Sequence, residues 1–134
     1  MYHLTDTEFA RQFADCTLDP SLFSHEGHLR LAWIHLTTYG LEQAIGNIRT
    51  QIQAFDKAHG DGTKYHETLT VASLQIVDHF IRKSSAKTFQ EFLLEFPNLG
   101  TNFKDLVAQH YTNAVLADIR AKAIYQEPDL HPFE

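Results

Sequence analysis

Hydrophobic positions recur at helical spacing along the chain, and no segment shows the sustained period-two alternation of a half-buried strand. "TDTEFARQFAD" opens with Thr5 and Glu8 in capping-box spacing and predicts a short helix of about ten residues. After "TLDPSLF", a second helix is expected from Ser24, a good N-cap, to Tyr39, with Gly40 as its stop. The third, "LEQAIGNIRTQIQAFDKAHG", sets Leu41, Ala44, Ile45, Ile48, Ile52 and Phe55 on one stripe and ends at Gly60. The fourth, "YHETLTVASLQIVDHFIRK", carries two adjacent stripes, Leu69, Ala72, Ile76, Phe80 and Thr70, Leu74, Val77, Ile81. So wide an apolar arc predicts burial on more than one side. "TFQEFLLEF" repeats the capping-box spacing with Thr88 and Glu91 and stops before Pro97. Beyond "PNLG", one helix or two, broken near Thr112 and Asn113, run to Tyr125, and Pro128 and Pro132 make "QEPDLHPFE" an extended tail. The expected fold is all-α: a compact single-domain bundle over residues 1–134, of about five to seven helices with an extended C-terminal tail.

Composition narrows the functional classes. The formal charge of −6, from 11 Lys and Arg against 17 Asp and Glu, offers no basic field for phosphates, which argues against nucleic acid. There is neither a leader pattern nor a long apolar run, so the expectation is a soluble, cytoplasmic chain with no membrane partner. The lone Cys16 reads as a small core residue rather than a nucleophile. Nine histidines are the one compositional excess, and they direct attention to imidazole chemistry.

Placed at 100° per residue, His25 falls inside the apolar arc of the second helix and His66 inside that of the fourth, with His28 and His35 at an edge of the former and Glu67 at the margin of the latter. A tight turn at Gly40 makes the second and third helices antiparallel neighbours, and the short "GDGTK" loop starts the fourth at the same end. His25, His28, His59, His66 and Glu67 are therefore expected together at one end of the bundle, with His25 and His66 pointing inward. His79, beside Asp78, reads as surface, and His110, Tyr111 and His131 as structural or exposed.

Two chemistries suit such a cluster. Neutral imidazoles with a carboxylate make a first shell for a divalent transition metal, with His25, His28, His66 and Glu67 as ligands, and an open coordination position would support a small metal-dependent enzyme. His-x-x-His is nevertheless not His-Glu-x-x-His, and hydrogen-bonded histidines at a helix end are the structural alternative. The other chemistry uses two helix N-termini, which favour an anion: Arg30, Lys64, Tyr65 and His66 would hold the carboxylate or phosphate of a small molecule, with His25 or His28 as general base or acid; the rival class is a non-catalytic anion-binding or protein-interaction module in which the histidines are structural. For Arg30 the plain alternative is a surface pair with Glu26, and for Lys64 a solvated loop. A homo-oligomer is compatible with either reading.

"FSHEGHLRLAW", "KYHETLT" and "EPDLHP" together resemble a family of small bacterial all-helical proteins of unassigned activity, marked by Phe-x-His-x-x-His-Leu-Arg-x-Ala-Trp, Lys-Tyr-His-Glu-Thr and Pro-Asp-Leu-x-Pro blocks. The resemblance implies one functional surface holding His25, His28, Arg30, Trp33, Lys64, Tyr65, His66, Glu67 and Thr68. It implies no substrate, cofactor or reaction.

Overall fold

The computed structural model describes residues 3–133. These form nine α-helices and one 3-10 turn with no strand among them. In order they are α1 (Asp6–Ala14), the turn Pro20–Leu22, α2 (His25–Tyr39), α3 (Leu41–His59), α4 (Glu67–Lys83), α5 (Phe89–Glu95), α6 (Asn98–Thr101), α7 (Phe103–Ala108), α8 (Asn113–Ala117) and α9 (Ile119–Ala123). The fold is all-α, and no helix among the described residues is long and apolar enough to cross a membrane. The contacts gather the chain into two compact units, Met1–Tyr65 and His66–Glu134.

In the first unit local signals set the helix ends. Thr5 and Glu8 close a reciprocal capping box at the start of α1, and the Ser24 hydroxyl accepts the Gly27 N–H at the start of α2. Gly40, at φ +83°, ends α2 by donating its N–H to the Leu36 carbonyl and turns the chain directly into α3, a conformation that side-chain-bearing residues rarely adopt. Helix α2 packs along α3, and α1 packs on both. Every residue from Leu31 to Leu36 is buried, so α2 has no solvent face over that stretch. Gly27 sits where a glycine costs helix stability, and its reason is steric: a Cβ there would collide with the Leu22 carbonyl of the preceding turn.

In the second unit α4 packs against α7 and α9. Thr88 caps α5 by accepting the Glu91 N–H, but the Glu91 carboxylate reaches back to the Lys87 N–H, so the capping box is not reciprocal as expected. Thr112 caps α8, which places the expected break between α7 and α8. The tail after α9 is extended and tied down: the Leu130 and His131 N–H groups donate to the carbonyls of His110 and Gln109, and Asp129 accepts both the N–H and the hydroxyl of Thr112.

Candidate functional site

The four expected metal ligands are divided between the units, His25 and His28 in the first, His66 and Glu67 in the second. Among the described residues, no group of three or more His, Cys, Asp or Glu side chains is placed to hold a metal ion.

In the first unit His25 is exposed, not inward as the arc implied. It is the first residue of α2, at the edge of the helix rather than within its packed length. His28 donates Nδ1–H to the Ser24 carbonyl at 2.7 Å, since a carbonyl only accepts, and its ring stacks on Phe23 with centroids 3.7 Å apart. Desolvation by the surrounding chain holds its pKa below the ordinary histidine value. The Ser24 carbonyl opposes that effect and the neighbouring His25 adds to it. From Phe23 the rings continue to Phe13 at 4.5 Å and Phe55 at 5.3 Å, and Phe55 meets His59 at 4.5 Å. His59 in turn donates Nε2–H to the Cys16 carbonyl at 2.6 Å. The start of α2 and the end of α3 do lie together, as the Gly40 turn implied, joined by an aromatic cluster with an imidazole at either side.

Arg30 is buried and paired. Only 5% exposed, it donates to Asp6 through Nε and Nη2 at 3.2 and 3.0 Å and to the Leu4 carbonyl at 2.6 Å, and its guanidinium lies over the Phe9 ring. Rather than lying on the surface, Arg30 is buried, and its pairing with Asp6 ties α2 to the start of α1. Trp33 is buried within α2. Lys64 is exposed and Tyr65 half-buried, and the Lys64 N–H donates to the Asp56 carboxylate.

In the second unit His66 is the N-cap of α4, and both its nitrogens are engaged. Nδ1 accepts the Leu69 N–H at 3.0 Å while Nε2–H donates to the Leu116 carbonyl at 2.9 Å. His66 is half-buried, and Leu69, assigned to the apolar arc, is 40% exposed. The buried face runs instead through Glu67, Thr68, Val71, Ala72 and Leu74. Thr68, fully buried, donates its hydroxyl to the Ile124 carbonyl and accepts the Gln126 N–H. The Tyr111 hydroxyl donates to the Gln126 carbonyl at 2.7 Å; burial first, then Tyr125, raises the phenol above its ordinary value, so it stays a neutral donor. Thr68 and Tyr111 together hold the segment after α9.

The structure also brings together three histidines that the helix faces did not single out. A half-open cavity of about 390 Å³ lies within the second unit, between α4, the end of α7 and the tail. Its polar lining is Gln75, His79, Lys83, Gln109, His110 and His131, and Phe80 and Phe133 contribute to its apolar wall. The His110 ring stacks on Phe133 at 4.2 Å and donates Nδ1–H to the His131 carbonyl at 2.7 Å. Proton position follows from the acceptor: Nδ1 carries the hydrogen, so the neutral ring leaves Nε2 as an acceptor. Lys83 lies 5.9 Å from the centroid of the Phe80 ring. Among the described residues, no carboxylate lines the cavity. His79, read from the sequence as surface, shares a face of α4 with Lys83 at i, i+4 spacing, and the folded-back tail completes the cavity over it.

Fold and cavity together define a small all-α protein with a histidine-lined cavity in its second unit. Compared with protein-family models, curated proteins and solved structures, the chain matches none.

Proposed function

We propose that the protein binds a small organic molecule, and that the ligand occupies the cavity between α4, the end of α7 and the tail. The observation that carries this reading is the lining itself: three of the nine histidines in the chain, with Lys83 and two glutamine amides, face one concave space beside two phenylalanine rings. Ligand sites combine such an apolar wall with a few placed polar groups, and the volume lies at the low end of the usual range of about 300–1,000 Å³. The expected metal set at His25, His28, His66 and Glu67 has less support, because a metal at His66 would have to displace either the Leu69 N–H or the Leu116 carbonyl.

Imidazole NMR of uniformly ¹⁵N-labelled protein, titrated with a panel of small organic acids, alcohols and amines, tests the proposal. Shifts at His79, His110 and His131 with His28 and His66 unmoved are the expected result. Shifts confined to His25, His28 and His66 would move the site to the residues singled out in the sequence, and the cavity reading would fall.

A further inference from the structure

We infer that the ligand of this cavity is a small organic acid that also carries a hydroxyl or N–H group, its carboxylate against Lys83 and its hydrogen-bond donor against Nε2 of His110. The inference rests on the cavity reading above and adds the chemical class.

Three observations lead there. First, among the described residues of the lining, Lys83 is the one permanent cation and none is a carboxylate. The nearest acid on the same helix, Asp78, pairs with Arg82 at 3.2 Å, and Asp129 of the tail is engaged by Thr112. A single positive charge matches a monocarboxylate better than a phosphate dianion, which usually recruits several cationic or N–H donors. Second, the His131 carbonyl takes the Nδ1 hydrogen of His110, so the nitrogen left for a ligand is Nε2, an acceptor when the ring is neutral. A lone-pair acceptor repels a bare carboxylate oxygen and suits a ligand with a proton to share. Third, Phe80 and Phe133 give the carbon skeleton an apolar surface, and Phe133 is held by its stacking on His110 itself.

Three probes of one shape separate the terms: 4-hydroxybenzoate carries charge and donor, benzoate the charge alone, and benzyl alcohol a donor without charge. Dissociation constants from histidine imidazole shifts should rank 4-hydroxybenzoate tightest, by about tenfold or more over each of the others, the size of one charge-assisted hydrogen bond. Lys83→Met changes an exposed side chain and should cost the two acids about tenfold while leaving benzyl alcohol unchanged. Equal affinities for all three probes, or an indifferent Lys83→Met, would overturn the acid class and leave the cavity as a general small-molecule site. Tighter binding of inorganic phosphate than of 4-hydroxybenzoate would overturn it in favour of an oxyanion site. Failure of every probe to move His79, His110 or His131 would overturn the cavity reading and this inference with it.

Discussion

His66 reaches the Leu116 carbonyl, 50 positions along the chain, through Nε2 at 2.9 Å, and the same ring accepts the Leu69 N–H through Nδ1. One imidazole thus caps α4 and fastens the end of α8 to it. His66→Ala removes both bonds, and the loss of an N-cap alone costs about 1 kcal/mol. His66→Asn, whose side chain still caps, should recover part of that loss; chemical denaturation of the two variants measures the difference. Equal stability of wild type and His66→Ala would mean that the ring does not hold these segments.

Metal binding at His66 competes with those same bonds. Zinc or nickel added to the protein is therefore expected to leave the melting temperature unchanged or lower it. A rise that disappears in both His28→Ala and His66→Ala would instead restore the metal centre read from the sequence.

Two glycines should respond to alanine with opposite signs. At Gly27 the added Cβ meets the Leu22 carbonyl, and overpacking against backbone costs about 1–3 kcal/mol, more than the helix propensity gained. At Gly46, in the exposed middle of α3, nothing lies within 4 Å, so the same change should stabilise by about 0.5–1 kcal/mol. Urea midpoints of the two variants check the contrast.

Thr68→Val keeps the shape of a fully buried side chain but strands the Gln126 N–H, while the Ile124 carbonyl keeps only the Gln126 side-chain amide as donor. Leaving such groups unpaired costs about 1–3 kcal/mol. The measured loss should exceed that for Thr38→Val, at an exposed position near the end of α2.

Acidification should weaken the fold through two histidines. Desolvation lowers the pKa of both His28 and His35 below the ordinary value, so the unfolded chain takes up protons first. The stability these groups contribute is fully present above about pH 6.5, the unfolded value, and is lost as pH falls from there toward their folded values. Unfolding free energies between pH 7.5 and 5.5 should decline, and His35→Phe should flatten part of the slope.

Local chemistry made the helix ends legible: the Thr5 capping box, Ser24, the Gly40 turn and the break before Thr112 all depend on residues within a few positions of one another. Helix faces were harder to place. His25 lies in the first turn, where an apolar arc says little about cover, and Thr68 is buried by hydrogen bonds to residues 56 and 58 positions away that no periodicity encodes. Arg30 presented the same difficulty, because its partner Asp6 is 24 residues distant. The cavity was the least legible feature. Its walls meet only when the tail folds back on His110, and extended segments carry no face that can be read by spacing.

Burial of α2 from Leu31 to Leu36 divides that helix in time. His35 is 4% exposed, its Nδ1 lies 3.4 Å from the Asn47 amide nitrogen, and its Nε2 has no hydrogen-bond partner. Amide hydrogens in this stretch can exchange with solvent only when much of the first unit opens, whereas those around His25 exchange whenever the first turn frays. The histidines of a single helix thus run on two clocks, one set by local breathing and one by unfolding. In a deuterium-exchange experiment the His35 segment would report the stability of the unit while the helix start was already labelled.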